Sequence, residues 1–246
     1  MPPMREGQKS PCLDCALRTQ GSLCGTLFCD ERLRAAENLR SSPAPVAQSH
    51  KFALRRRTIY RTNETSNSVA IICDGWACAY IPLPDGNRQI LSFLLAGDIT
   101  SAAAVFQDRS EISIEAVTDV HYCMINKADL RTALGSDRKV FDEFSAMWVR
   151  RKEEVEKLAT DLGHRTAEAR IARLVLGLLE RLGERNLVHD LRFAFPLRLR
   201  HIADAAGLTV VHVSRIIGDM RRRGVIEMEG RFLTILDQHE LMNISS

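Results

Sequence analysis

Four cysteines crowd the first thirty residues, in PCLDCALRTQGSLCGTLFCDE: Cys12, Cys15, Cys24 and Cys29. Thiolates are soft ligands for iron and zinc. A Cys-x-x-Cys pair aims two of them at one centre from a tight turn. Gly21 and Gly25 loosen the backbone beside the third candidate. Three chemistries fit this spacing. An iron–sulfur cluster would take three of these cysteines and one from elsewhere. A structural zinc would take all four. Redox-active thiols on a flexible lead would need no metal. The opening MPPMREGQKS has no apolar signal core, so a cytoplasmic chain is expected. In that compartment its seven cysteines argue for metal or redox chemistry over structural disulfides.

A second stretch with chemical content is Leu199–Gly218, LRHIADAAGLTVVHVSRIIG. It reads as a helix–turn–helix. Gly207 is the turn residue, where a left-handed backbone favours glycine. Ala203, four residues earlier, is small enough for two helices to cross closely. Ile202, Ala206, Leu208, Val213 and Ile216 fall on inward faces at helical spacing. Thr209 is placed to cap the second helix. Val210, Val211, His212, Ser214 and Arg215 then lie on or beside its outward side, where such helices meet base edges. An ordinary helical hairpin in a core is the alternative, and two neighbours weigh against it. Arg221, Arg222 and Arg223 close the second helix, where cations suit the dipole and reach phosphate. Beyond them VIEMEG-RFLTI alternates around Gly230 as a β-hairpin, which completes a winged helix.

The balance of the chain fits a nucleic-acid reader weakly at first sight. Its 246 residues carry a net charge of only +3. From His164 onward, however, there are thirteen Arg and no Lys against ten Asp plus Glu. Arginine suits bidentate guanine and phosphate contacts, although a GC-rich genome would produce the same skew. No apolar run approaches the roughly 20 residues that span a bilayer. No Walker A loop, His-Glu-x-x-His or Gly-x-Ser-x-Gly is present, so a metal-dependent enzyme is a remote alternative and no catalytic role is expected.

Elements must hold these two stretches in place. Asp30–Leu39 reads as a short amphipathic helix, and Ser41-Ser42-Pro43-Ala44-Pro45 as a linker. From about Phe52 to Leu134 short apolar clusters alternate with turns: Asp74-Gly75, Pro84-Asp85-Gly86-Asn87 and Ala96-Gly97-Asp98. That rhythm predicts a compact β-barrel or sandwich. Cys73 and Cys78 fall in its strands as small buried hydrophobes. Asp137–Leu162 reads as one long helix. Phe141, Phe144, Trp148, Val155, Leu158 and Leu162 follow heptad steps, with Arg151 in the remaining slot, which predicts pairing with a second copy. Like charges meeting at Arg151 would tune that pairing. Thr166–Leu182 is a further helix, apolar at Ile171, Leu174, Val175, Leu178, Leu179 and Leu182.

Taken together, this layout resembles the Crp/Fnr transcription regulators over nearly the whole chain. The Gly75, Gly86 and Leu95–Asp98 (LAGD) punctuation is similar to that family's β-roll, and Gly207–Arg215 (GLTVVHVSR) to its recognition helix. The resemblance implies an α+β fold: a β-roll sensor domain like those that bind cyclic nucleotides, a long dimerisation helix, and a C-terminal winged helix–turn–helix. The corresponding boundaries are 1–45, 46–136, 137–163 and 164–246. The cysteine lead resembles the Fnr branch, which holds an oxygen-labile 4Fe–4S cluster on three N-terminal cysteines and one from the β-roll. Cys123, in TDVHYCMINKADL, stands at the matching place.

The implied ligands are Cys12, Cys15, Cys24 and Cys123, with Cys29 as substitute for Cys24. The cysteine spacing departs from the family, because eight residues separate Cys15 from Cys24 and the family places its third cysteine sooner. Thiol oxidation, zinc or nitric oxide are the alternative signals. Ala102, Ala103 and Ala104 occupy the place where the cyclic-nucleotide branch carries a ribose-binding glutamate, although an Arg109-Ser110 pair remains. No cyclic nucleotide is therefore expected. For DNA the resemblance implies Thr209, Val211, His212, Ser214, Arg215, Arg221 and Arg222. Ser214 and Arg215 match the family pattern, with Arg215 the guanine reader. Val211 replaces a glutamate that accepts from cytosine, and an apolar group there suits a thymine methyl. The implied partners are palindromic double-stranded DNA, a second copy as homodimer, and RNA polymerase, with no membrane.

Overall fold

A computed structural model describes residues 23–28 and 48–246, which divide into two compact units. The first holds residues up to Ala79 and Phe93–Lys152; the second holds Tyr80–Ser92 and Glu153–Ser246. The predicted helix over Asp30–Leu39, the linker, and Cys12, Cys15 and Cys29 lie outside the described residues. Among those described, no helix is long and apolar enough to cross a membrane.

The first unit is built on seven strands: β1 (Gln48–Ala53), β2 (Thr58–Tyr60), β3 (Ser68–Asp74), β4 (Ala77–Pro82), β5 (Arg88–Leu94), β6 (Ser113–Ala116) and β7 (Val120–Asn126). They form two antiparallel sheets, ordered β1-β7-β3 and β2-β6-β4-β5. The outer part of the β4–β5 hairpin, residues 80–92, is counted with the second unit. The run Val69–Ile72 is continuously apolar because β3 is buried on both faces. Ala70 and Ile72 join Ala77, Ala79, Leu94 and Ile114 in one core. Val69 and Ile71 point the other way, into a second core with Cys123 and Ile125. That second core also takes Leu23 and Cys24 from the short helix α1 (Leu23–Phe28).

Lys127–Ser136 is a helix, α2, where an all-strand pattern was expected up to Leu134. Its cap explains the departure: the Asn126 side chain accepts from the backbone N–H of Ala128 and Asp129. The long helix α3 runs Arg138–His164. Its predicted seam is not uniform, since Phe141 and Trp148 are 48% and 46% exposed whereas Phe144 is 3% exposed and packs in its own unit.

In the second unit α4 (Ala167–Gly183) is capped by Thr166, whose side chain accepts from the Ala169 N–H. It buries Ile171, Val175, Leu178 and Leu182. Two helices follow, α5 (Leu199–Ala206) and α6 (Val210–Arg222). The hairpin around Gly230 pairs β10 (Ile226–Glu229) with β11 (Phe232–Ile235). It extends further than the sequence suggested, because β11 also pairs with β9 (Arg192–Ala194), which pairs with β8 (Val188–His189). A short helix, α7 (Gln238–Ile244), closes the described chain.

Gly75 joins β3 to β4 with φ +87°, and an added Cβ would run into the carbonyl oxygen of Asp119. That atom is backbone and cannot swing aside. Gly75→Ala should therefore cost ~3 kcal/mol, from the left-handed backbone plus the clash. Urea unfolding of the full chain checks this as a fall in midpoint with unchanged slope.

Candidate DNA-reading face and cysteine cluster

The helix–turn–helix is positioned from its turn outward. Gly207 adopts φ +63° as predicted, and the N–H groups of Gly207 and Leu208 return to the carbonyl of Ala203. Ala203 is buried, as its place at the crossing requires. The turn is braced within the second unit. Arg170 donates to the Ala206 carbonyl at 2.8 Å. Gln89 donates to the Ala205 carbonyl at 3.1 Å. Arg88 pairs with Asp204 at 2.7 Å, both side chains only 14% exposed. At the other end of α5, the buried His201 accepts the Arg198 N–H at its Nδ1 atom. Sequence reasoning did not single out these braces.

Helix α6 begins at Thr209, whose side chain accepts from the His212 N–H at 3.2 Å. Val213, Ile217 and Met220 form its buried stripe. Ile216, predicted to face inward, is only half-buried, and Ile217 takes the core position. Steps of four and three from Val213 define that stripe, and one residue further round the helix turns partly out. Leu208 is likewise half-buried. Opposite the stripe, Val211, Arg215, Gly218 and Arg222 follow one another in steps of four, three and four. Val211 is 70% exposed. Thr209, His212, Ser214, Arg215, Arg221 and Arg222 are all exposed.

The three terminal arginines differ in what they touch. Arg223 donates to Glu168 at 2.7 Å, Glu240 at 2.6 Å and, more weakly, Asp219 at 3.4 Å. Its hydrogen bonds to Glu240 above all hold its pKa above the usual arginine value. Arg223 thus ties α6 to α4 and α7. Arg222 meets only the edge of Asp219, at 2.9 Å, and its side chain is 77% exposed. Arg200 and Arg231 are further exposed cations that sequence reasoning passed over. The signal for Arg231 was its place beside Gly230 in the tight turn.

In the first unit Cys24 and Cys123 share one apolar core, at 5% and 0% exposure, with Leu130, Val140 and Phe144. Cys123 lies between His50 of β1 and Ile71 of β3 in the ladder. Its thiol donates to Gln48 Oε1 at 3.3 Å. Cys78 is fully buried, as expected. Cys73 is only partly buried and packs at the edge of the core that holds Cys24 and Cys123. Both thiols lie in one core, and thiolates are the ligands a soft metal centre takes. Among the described residues alone, no three His, Cys, Asp or Glu side chains converge on a metal position. Phe144 carries the core outward, with ring centroids 6.0 Å from Phe106 and 6.2 Å from Trp148.

Around the expected nucleotide position, Ala102 is buried and Arg109 exposed. The Ser110 hydroxyl donates to the Ile112 carbonyl at 2.6 Å. Lys127 is buried and donates to the Gln107 carbonyl at 2.8 Å. Desolvation holds its pKa below the usual lysine value. The cavity beside Ser110 and Lys127 has room for about one water molecule.

A β-roll followed by a long helix and a winged helix–turn–helix defines a DNA-binding regulator. Residues 51–137 match the cyclic nucleotide-binding domain, and residues 169–244 the Crp-like helix-turn-helix domain. The chain belongs to the Crp/Fnr family of transcription regulators, whose members bind DNA and act as dimers. It is 28% identical over 226 residues to the nitrogen fixation regulation protein FixK of Bradyrhizobium diazoefficiens, covering 92% of this chain and 90% of that one. It is 22% identical over 200 residues to the fumarate and nitrate reduction regulatory protein of Vibrio cholerae, covering 81% and 80%. The solved structure of FixK2 from Bradyrhizobium japonicum superposes with a TM-score of 0.73 at 26% identity, covering 82% of this chain and 98% of that one.

The contacts separate two arginine roles that a titration can read. Arg221→Ala and Arg222→Ala should each lower the salt slope of DNA binding by about one, with little change in stability. Arg223→Ala should leave the slope unchanged and lower the melting temperature. Fluorescence anisotropy across a salt series, with thermal unfolding alongside, checks the pair.

Proposed function

We propose that this regulator is an oxygen- or redox-responsive homodimer that reads palindromic DNA and senses through a 4Fe–4S cluster held by Cys12, Cys15, Cys24 and Cys123. The supporting observation is that Cys24 and Cys123, far apart in sequence, are buried in the same apolar core as Val140 and Phe144 of the long helix. Relatives named for anaerobic and fumarate–nitrate regulation point to the same class of signal. When bound, such a cluster supplies a centre that oxygen or nitric oxide can attack.

The chain's own residues supply the rest. Cys24 and Cys123 anchor α1 and β7 to one site. Val140 and Phe144 pack against that site and register its state. Phe144 passes a change to Trp148 through their ring contact, on the face that carries the exposed Phe141. Pairing of two copies along this face sets the separation of two recognition helices. Losing the pairing loses the gain from binding two half-sites at once, and DNA affinity falls by orders of magnitude. RNA polymerase is the downstream partner, and the cytoplasm the expected setting. No cyclic nucleotide and no catalytic role belong to this reading.

A second reading keeps the regulator and uses thiol oxidation or zinc as the signal. Cys73, partly buried beside the buried pair, favours it. The two readings part under anaerobic purification. The first expects a brown protein with about four iron and four acid-labile sulfide per chain, bleached by air. Cys24→Ser and Cys123→Ser should lose the iron, whereas Cys29→Ser and Cys73→Ser should keep it. Colourless, iron-free wild type from strictly anaerobic cells rejects the cluster. DNA affinity lost with peroxide and regained with thiol reductant would then establish the second reading.

A further inference from the structure

The outward ridge of α6 opens on an apolar residue. Val211 is 70% exposed and stands opposite the buried stripe of Val213, Ile217 and Met220. Exposing a valine there gains nothing in folding, since its methyl groups face solvent. It sits one helical turn before Arg215 on the same ridge. Gly218 follows Arg215 with open space around its Cα. Thr209 is occupied with the helix cap. Val211 therefore puts a side chain with no donor or acceptor of its own on the ridge that carries Arg215 and Arg222.

Only one base edge in the major groove rewards such a surface. Thymine carries a 5-methyl group; adenine, guanine and cytosine present polar atoms there. We infer that Val211 selects a thymine in each half-site through its 5-methyl group, near the guanine read by Arg215. This deepens the DNA-reading role of the helix and is independent of how the protein senses its signal.

The test uses the full chain, purified anaerobically, and a palindrome selected from a random duplex pool. The selected half-site should carry a thymine near its guanine. Replacing that thymine by deoxyuridine removes the methyl and leaves every hydrogen-bonding group. Wild-type affinity should fall about fourfold for one half-site and about fifteenfold for both. Val211→Ala, at an exposed position, should fold normally and bind thymine and deoxyuridine duplexes equally. Arg215→Ala should keep the thymine preference and lose that for guanine. A palindrome bound equally with thymine and deoxyuridine by the wild type overturns the inference while leaving DNA recognition intact. So does undiminished discrimination by Val211→Ala. Failure to select any duplex, from dimeric protein, overturns it together with the DNA-reading role of the helix.

Discussion

Phe141 and Phe144 are separated by a single helical turn and live in opposite surroundings, and the regulator depends on that division. Helix α3 packs Val140 and Phe144 into the core that buries Cys24 and Cys123. The same helix leaves Phe141, Trp148 and Val155 at 48%, 46% and 40% exposure. Apolar side chains left in water on one face of a long helix are a standing incentive to pair. The inward side chains hold that face in orientation. Phe144 touches both the thiol core and Trp148, so one side chain joins the core of the two cysteines to the outward face. This is why the proposed sensor needs its cysteines here, against this helix, and not elsewhere on the roll.

The DNA-binding unit solves a different problem, which is to present a few side chains in a fixed orientation. The stripe of Val213, Ile217 and Met220 sets the rotation of α6, and Thr209 sets where the helix begins. The turn before it would swing without its braces. Arg170 and Gln89 satisfy carbonyls at the end of α5, and Arg88 neutralises Asp204 where both are largely withdrawn from water. A half-buried charge left unpaired would be costly, so the Arg88–Asp204 pair is best read as fixing geometry rather than adding stability.

Local chemistry was legible in the sequence and tertiary chemistry was not. The helix–turn–helix could be read residue by residue because its signals act over four residues: a left-handed glycine, a small crossing residue, a capping threonine. The doubly buried strand Val69–Ile72 was also visible as an apolar run, although not that its two faces serve separate cores. Ile216 and Ile217 are adjacent, and periodicity alone could not choose between them. The seam departs from the pattern at one residue. Phe141, Phe144 and Trp148 fit one heptad pattern, yet Phe144 lies at the rim of the stripe and turns into its own unit. Lys127–Ser136 was lost to an expected strand, although Asn126 was an available cap signal. Strand β9 exists through its pairing with β11, which nothing within Arg192–Ala194 announces. The nearness of Cys73 to the core of Cys24 and Cys123 depends on pairing strands fifty residues apart, beyond any local rule.

The arginine triplet shows how far residue type falls short of role. Arg221, Arg222 and Arg223 are neighbours of one charge at one helix end, and a reading by composition treats them alike. Position relative to the buried stripe separates them. Arg222 continues the outward ridge of Val211 and Arg215, so its charge is offered to solvent. Arg223 is turned by one residue toward α4 and α7, where Glu168 and Glu240 hold it. The first can contribute to DNA affinity in proportion to released counterions, and the second contributes to the rigidity of the platform from which the first acts. Exposure and anchoring are thus divided between adjacent residues of identical chemistry, and only the phase of the helix assigns them.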